Sequence, residues 1–240
     1  MESKLNGRVL IVGVGGLGVP AAWALARAGV RRLTLMDPDP VELSNLARQV
    51  IYRTADVGRP KVEAAADRLA AEFPGLEIDR LAVELDAANA SGFIGAHDFT
   101  IDGTDNPRTK FSINDAAIGA MRPFGYGGVI GMTGQAMTVI PGRSACLRCL
   151  FEEPPGEAEI ASCREAGIIG PVAGVIGEVQ AAEAIRVLAG AAPRLAGRIL
   201  TYDASAAAAR MRIADVAARR GCACGAWSAA GREALPIRNQ

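Results

Sequence analysis

A glycine-rich turn close to the start of the chain has the pattern of a nucleotide-binding loop. The turn is Gly13-Val14-Gly15-Gly16-Leu17-Gly18, which matches G-x-G-x-x-G. Glycines allow a tight turn, so the amino terminus of the next helix faces an anionic phosphate. Asp37 follows at the spacing of about 20 residues where a carboxylate binds ribose hydroxyls. This pattern predicts a nucleotide site without separating NAD from ATP. The simpler alternative is a turn that only packs a helix against a strand.

Two cations and two carboxylates beyond Asp37 suit a nucleoside triphosphate better than a hydride-transfer cofactor. Arg48 lies in Ser44-Asn45-Leu46-Ala47-Arg48-Gln49, and Lys61 opens a predicted helix. Asp102 and Asp105 follow a predicted strand. Cations neutralise phosphate charge, and a carboxylate holds Mg²⁺. Because doubly wound sheets bind ligands outside the carboxyl ends of their strands, we expect these residues to meet at one edge.

Lysine is rare in this chain and occurs only at Lys4, Lys61 and Lys110, whereas the 26 basic residues are otherwise arginines. A compact ammonium group differs from a planar guanidinium, so Lys61 is interpreted as a phosphate-binding residue that must be lysine. The alternatives are a surface lysine at a helix start for Lys61 and a surface ion pair for Arg48. Lys4 and Lys110 are assigned to the surface class, although Lys110 follows Asp105 closely.

Four of the five cysteines form two close pairs. Cys146 and Cys149 make a C-x-x-C hook, and Cys222 and Cys224 make a C-x-C hook. Four thiolates from two hooks form a tetrahedral zinc site, which would tie the carboxy-terminal segment to the domain. Two pairs of free or redox-active thiols are the alternative.

Short apolar strands alternate with helical segments along the chain. The predicted strands are 8–12, 32–36, 77–83, 98–102, 123–128, 134–140, 199–203 and 211–213, and the predicted helices are 17–28, 61–73, 107–121 and 171–188. A polar loop is predicted over 151–167. Together these elements predict one α/β domain over 1–240. Its doubly wound, Rossmann-like sheet is expected to be mostly parallel, with late antiparallel strands.

Composition excludes several classes of function. The chain has 240 residues, with 26 Lys+Arg against 26 Asp+Glu, so nucleic acid is not an expected partner. His97 is the single histidine, which excludes HExxH zinc sites, and we expect it to be structural, away from the ligand edge. No secretion-signal core and no run of about 18 apolar residues is present, which predicts a cytoplasmic protein without a membrane partner.

Four runs in this order, GVGGLG, LMDPDPVELSNLARQ, VGRPKVEAA and DGTDN, resemble the MoeB/ThiF/HesA family of adenylyltransferases. These are bacterial relatives of ubiquitin-activating enzymes, and the similarity extends from Asn6 to Gly225. The resemblance implies adenylation of the carboxy-terminal glycine of a ubiquitin-like sulfur carrier that ends in Gly-Gly. Mg·ATP is used and pyrophosphate is released, after which a sulfur donor forms the thiocarboxylate. It also implies a homodimer.

The resemblance also implies a role for individual residues. It assigns ribose to Asp37, the magnesium ion to Asp105 with Asn106 beside it, and structural zinc to the two cysteine hooks. The ATP phosphates are assigned to the glycine turn and to the segment that begins at Ser44, with contacts from Gly16, Asn45, Arg48 and Lys61. Arg48, Lys61 and Asp105 are therefore the predicted catalytic residues. The reaction needs no histidine base, because the attacking carboxylate is already ionised near neutral pH.

Three features depart from the family pattern or vary within it. The second hook is C-x-C rather than C-x-x-C, which makes its geometry tighter. Relatives usually carry an arginine-bearing arm before the first strand, and here only seven residues precede Arg8, so Arg53 is considered as a replacement. Cys163 matches a position where some family members form a persulfide or a covalent link to the carrier. An incidental loop cysteine is an equal alternative.

Two other classes of function remain open at this point. An NAD(P)-dependent oxidoreductase would explain the glycine turn and Asp37, but it gives Arg48, Lys61 and Asp105 no task. A non-catalytic carrier-binding relative would explain the missing arm.

Overall fold

The computed structural model describes residues 5–156, 167–205 and 210–225. Its strands are β1 (Arg8–Val12), β2 (Arg32–Met36), β3 (Glu77–Leu81), β4 (Phe99–Asp102), β5 (Phe124–Ile130), β6 (Thr133–Val139), β7 (Arg198–Asp203) and β8 (Arg210–Asp215). Its α-helices are α1 (Gly18–Arg27), α2 (Lys61–Glu72), α3 (Ala90–Gly95), α4 (Pro107–Gly119), α5 (Leu147–Leu150) and α6 (Gly170–Leu188). Short 3-10 turns occupy Leu43–Asn45 and Thr54–Asp56.

All eight described strands belong to one sheet in the order β3-β2-β1-β4-β5-β6-β7-β8. Pairing is parallel from β3 to β5 and antiparallel from β5 to β8. The predicted mostly parallel sheet with late antiparallel strands is therefore confirmed. The predicted strand over 77–83 ends two residues early, and the short helices α3 and α5 were not predicted.

The centre of the sheet is covered on both faces, as β1 shows. Val9 and Ile11 join a buried cluster with α1, α2 and α6, whereas Leu10 and Val12 join a second cluster with α3 and α4. Alternate residues of a strand point to opposite faces, so an all-apolar strand needs both layers of helices. This double cover leaves the strand ends as the place where polar groups can gather.

Within the described ranges, no helix is both long enough and apolar enough to cross a membrane. His97 is buried and lies just before the amino end of β4, away from the ligand edge as predicted. Its Nδ1 is 2.6 Å from the carbonyl oxygen of Phe93, and its Nε2 is 2.7 Å from Oγ1 of Thr34. Burial lowers the pKa of His97, which keeps the ring neutral.

Candidate functional site

A cavity of about 390 Å³ lies at the carboxyl ends of β1, β2 and β4 and is called the edge cavity below. Its wall contains most of the predicted ligand-binding residues, namely Gly13, Gly15, Gly16, Asp37, Asn45, Arg48, Lys61, Asp105 and Asn106. Gly18 and Ser44 lie beside the wall rather than in it. Residues from five separate stretches of sequence therefore meet where a doubly wound sheet binds its ligands.

The glycine turn is shaped by close backbone contacts. Gly13 has φ +87°, and a Cβ there would lie 2.7 Å from the backbone of Gly103. A Cβ on Gly18 would lie 1.9 Å from the carbonyl oxygen of Gly13. Only glycine fits these two positions, so Gly18 acts by letting α1 start close to β1. The amino end of α1 consequently borders the cavity, where it suits an anion.

Asp37 ends β2 with its carboxylate held in the cavity wall. The backbone N–H of Val14 donates to Oδ2 at 2.7 Å, and that of Asp39 donates to Oδ1 at 2.9 Å. Burial raises the pKa of Asp37, and the nearby ammonium of Lys61 opposes that rise. A carboxylate has about four acceptor positions, so Asp37 keeps capacity for ribose hydroxyls.

Lys61 is buried at the start of α2 and lies between two carboxylates. Its Nζ is 2.8 Å from Oδ2 of Asp39 and 3.6 Å from Oδ1 of Asp37. The interpretation of Lys61 as a surface lysine is wrong, since its side chain is 8% exposed. Asp39 was missed in the sequence. The spacing in Asp37-Pro38-Asp39 could have placed it beside Asp37, because residues two apart in an extended segment share a face.

Arg48 and Asn45 come from the turn after β2. Arg48 donates from Nη1 to the carbonyl oxygen of Ser44 at 3.1 Å. In the part of the chain that the structure describes, no carboxylate pairs with Arg48, so the ion-pair alternative has no support there. The side chain of Asn45 accepts from the backbone N–H of Glu42 at 3.3 Å, which closes the turn. Ser44 is exposed, and its hydroxyl donates a hydrogen bond to the carboxylate of Glu42. Arg53 is absent from the cavity wall.

The loop after β4 supplies the acid assigned to magnesium. Asp105 is exposed in the cavity wall, and Asn106 caps α4 by accepting the N–H of Arg108 at 2.9 Å. Mg²⁺ binds one or two protein carboxylates and completes its shell with phosphates and water. An exposed carboxylate beside a glycine turn fits that requirement.

Asp102 lies at the predicted edge but beneath the cavity wall rather than in it. Its side chain is 0% exposed, and Nζ of Lys110 lies 3.2 Å from each of its oxygens. The assignment of Lys110 to the surface is therefore wrong, because its side chain is only 11% exposed. Lys4 lies outside the described residues.

The four paired cysteines meet as predicted. The Sγ–Sγ distances are 3.9 Å for Cys146–Cys149, 3.6 Å for Cys146–Cys222 and 3.6 Å for Cys149–Cys224. Tetrahedral zinc with Zn–S bonds of about 2.3 Å separates its sulfurs by about 3.8 Å. A disulfide would need about 2.0 Å. Burial, together with the neighbouring sulfurs, raises the pKa of the Cys146 thiol, so a thiolate at Cys146 needs a nearby cation.

The loop predicted over 151–167 lies mostly outside the described residues, and Cys163 lies outside them too. The described chain stops at Gly156 and resumes at Gly167. Ile168 then enters the wall of the edge cavity and forms an isolated bridge with Gly131. The end of the predicted loop therefore borders the cavity.

Comparison with known proteins identifies the family. The model of the ThiF family matches residues 1–226, which is nearly the whole chain. The chain belongs to the ThiF family. Its predicted resemblance to MoeB, ThiF and HesA proteins is thereby confirmed.

Several curated relatives resemble this ThiF-family chain. The sulfur carrier protein adenylyltransferase of Thermus thermophilus is 41% identical over 214 residues, which cover 87% of this chain and 79% of that protein. The SAMP-activating enzyme E1 of Haloferax volcanii is 38% identical, with coverage of 83% and 74%. The adenylyltransferase and sulfurtransferase MOCS3 of Arabidopsis thaliana is 36% identical over 91% of this chain but only 47% of its own length. The chain thus spans about half of some relatives.

Solved structures support the same fold. The crystal structure of Escherichia coli MccB with ATP has a TM-score of 0.81 to this ThiF-family chain, with 21% identity and coverage of 93% and 68%. At that identity the likeness concerns the fold alone.

Proposed function

We propose that this chain uses ATP to adenylate the carboxyl terminus of a ubiquitin-like sulfur-carrier protein. The observation that carries the proposal is the edge cavity, where Arg48, Lys61 and Asp105 surround a glycine turn and Asp37. The relatives named as adenylyltransferases and as an E1-type activating enzyme support the same activity. An oxidoreductase would leave Arg48, Lys61 and Asp105 without an assigned role.

The proposed assignment of ATP follows the chemistry of the wall. Asp37 accepts the ribose hydroxyls, and the glycine turn with Gly16 receives phosphate oxygens at the amino end of α1. Asn45, Arg48 and Lys61 contact the triphosphate from the side of β2. Asp105 takes Mg²⁺, which neutralises phosphate charge when it is bound. Asn106 holds the start of α4 beside it.

In the proposed reaction, a carboxylate oxygen of the carrier's last glycine forms a bond to the α-phosphorus of ATP. The bond from that phosphorus to the bridging oxygen breaks, and pyrophosphate leaves. The products are the acyl-adenylate and pyrophosphate, and no proton has to move because the carboxylate is already ionised. Lys61 and Arg48 stabilise the charge that develops, and the cavity aligns the two substrates.

Zinc is proposed to occupy the four-cysteine cluster as a structural ion. Cys146 immediately precedes α5 and Cys149 lies within it, whereas Cys222 and Cys224 belong to the last described segment. Zinc would join these two parts, which are about 75 residues apart in the chain, and would stabilise the fold rather than take part in the reaction. Metal analysis of the purified protein is expected to find one zinc per chain, and less in Cys222→Ser. A metal-free, folded protein would remove this assignment.

The finer partner assignments are also proposals. We expect a carrier that ends in Gly-Gly, a sulfur donor that converts the acyl-adenylate to a thiocarboxylate, a homodimer and a cytoplasmic location. Cys163 is proposed to act as a thiol in that conversion, with an incidental loop cysteine as the alternative.

Pyrophosphate exchange tests the activity directly. The protein is mixed with Mg·ATP, radiolabelled pyrophosphate and a carrier ending in Gly-Gly, and the label is expected to enter ATP only when the carrier is present. A carrier lacking its last glycine is the matched control. Tight NADH binding without exchange would favour an oxidoreductase. Carrier binding without exchange would favour a non-catalytic relative.

A further inference from the structure

A buried polar cluster lies beneath the acid assigned to magnesium. Its centre is the carboxylate of Asp102, which is 0% exposed. Oδ1 of Asp102 accepts the backbone N–H of Thr104 at 3.1 Å and its hydroxyl at 2.8 Å. These two bonds bend the chain immediately after β4. Asp105 and Asn106 follow within two residues, so the conformation of Asp102 sets where they stand.

Lys110 supplies the cation for this cluster. Its ammonium contacts both oxygens of Asp102 at 3.2 Å, donates to the carbonyl oxygen of Gly127 on β5, and lies 5.3 Å from the ring centre of Tyr126. Lys110 is in the first turn of α4, where a positive charge is unfavourable beside the helix amino terminus. Its buried partner explains a lysine at this place.

The backbone of Asp102 is fixed from the opposite side. Nε2 of Gln180 on α6 donates to the carbonyl oxygen of Asp102 at 2.8 Å and to that of Gly125 at 2.9 Å. Helix α4, strands β4 and β5, and helix α6 therefore meet at one residue. The loop that carries Asp105 has a rigid base, although Asp105 itself is exposed.

We propose that Lys110 is a positioning residue for magnesium and ATP, because it holds Asp102 and through it the loop that presents Asp105. The inference rests on the proposed function. Lys110 is outside the cavity wall. Groups that orient a metal ligand typically change metal affinity about 10- to 100-fold when they are removed.

The test removes the ion pair without leaving a buried charge. The double variant Asp102→Asn with Lys110→Met keeps an acceptor for Thr104 and an apolar stem in place of the lysine. Calorimetry then measures binding of a non-hydrolysable ATP analogue over a range of Mg²⁺ concentrations, without carrier. The variant is expected to need about 10-fold more Mg²⁺ for half-maximal binding. Lys110→Arg, which retains a cation, is expected to stay near the wild-type requirement.

A destabilised control separates positioning from a general loss of stability. Glu183 is buried, accepts the N–H groups of Arg194 and Leu195 and the hydroxyl of Thr138, and is outside the cavity wall. Glu183→Gln is expected to lower the melting temperature without changing the Mg²⁺ requirement. The proposal would be overturned if the double variant needed no more Mg²⁺ than the wild type. It would also be overturned if Glu183→Gln or Lys110→Arg changed the Mg²⁺ requirement as much as the double variant does.

The same binding experiment distinguishes this inference from the proposed function. Because it needs no carrier, it reports on Lys110 whether or not exchange is found. Wild-type protein that binds Mg·ATP but never exchanges pyrophosphate would count against the activity alone. Wild-type protein that binds no ATP would overturn both.

Discussion

Lys61 and Lys110 both stand in the first turn of a helix, and each pairs with an aspartate at or just beyond the carboxyl end of a parallel strand. Their surroundings differ. Lys61 is in the wall of the edge cavity, and its nearer partner, Asp39, has a side chain that is 62% exposed. Lys110 is outside that wall, and its partner Asp102 has no exposure at all.

The difference in solvent access gives the two lysine–aspartate pairs different roles. A pair with one partner in water can exchange that partner for a ligand at small cost, since exposed pairs contribute only about 0–1 kcal/mol. A fully buried pair cannot be opened without leaving an unpaired charge. Lys61 is therefore free to serve a triphosphate, whereas Lys110 serves the structure that holds Asp105.

The largest expected effect is on stability, in Lys110→Met. Asp102 would keep its bonds to Thr104 but lose its cation, and breaking a buried pair costs about 3–5 kcal/mol. Urea unfolding of this variant is expected to show that loss in the free energy of unfolding. Lys61→Met is the comparison variant and should lose less, because its nearer partner Asp39 reaches water and the buried Asp37, 3.6 Å from Nζ, keeps two backbone N–H donors. Equal losses in the two variants would contradict the comparison.

The next effect is on activity, in Lys61→Ala. Loss of its charge at the triphosphate is expected to lower carrier-dependent pyrophosphate exchange at least about 100-fold. Circular dichroism and melting would show whether the fold is retained. Lys61→Arg tests whether a compact ammonium is needed, and we expect it to recover only part of the rate. Exchange at the wild-type rate in Lys61→Ala would refute the assignment.

Asp105→Ala is expected to lower exchange by about 100-fold as well, through loss of the magnesium ligand. Its stability should stay near that of the wild type, because Asp105 is exposed. The balance between lost activity and lost stability is compared with that of Lys110→Met, since both changes affect the loop after β4. A wild-type rate, or a large loss of stability in Asp105→Ala, would separate that loop from the proposed chemistry.

The two lysines also show how far the sequence could be interpreted. The doubly wound sheet follows from the alternation of apolar strands and helices, and the edge cavity follows from where such strands end. Lys61 stood out because lysine is scarce. The assignment of Lys110 was wrong because burial of Asp102 depends on β5 and on Gln180, which is 78 residues further along the chain. No local pattern carries that information.

Asp39 illustrates a different limit. It was overlooked because the family pattern draws attention to Asp37, although Asp37-Pro38-Asp39 puts both acids on one face of an extended segment. The cysteine hooks needed no such detail, because two close cysteine pairs already indicate a metal site. Short helices such as α3 escaped prediction because six residues carry little periodicity.

A smaller effect is expected for Asp39→Asn. The change removes a negative charge from the cavity wall and frees Lys61 from its resting partner. The KM for ATP should fall about 2- to 5-fold, which corresponds to the strength of an exposed ion pair, and the gain should shrink in high salt. Asp98→Asn is the control, because Asp98 is exposed just before the amino end of β4 and is outside the cavity wall. A higher KM in Asp39→Asn would show that Asp39 helps to hold Lys61 or magnesium in the working site.

The smallest effect concerns pH. Burial raises the pKa of Asp37 above its ordinary value of 3.8, and Lys61 opposes that rise. In the window above 3.8 the folded state therefore binds more protons than the unfolded state, so this group's contribution to stability falls as pH rises. As pH falls, the wild type should gain free energy of unfolding relative to Asp37→Asn. This pH range should be wider in a Lys61→Ala background, because the cation that opposes the rise in the pKa of Asp37 is gone. If the wild type instead lost stability relative to Asp37→Asn on acidification, Lys61 would have a larger effect on the pKa of Asp37 than burial has. The two lysines would then also differ in how they affect the ionisation of their partner aspartates.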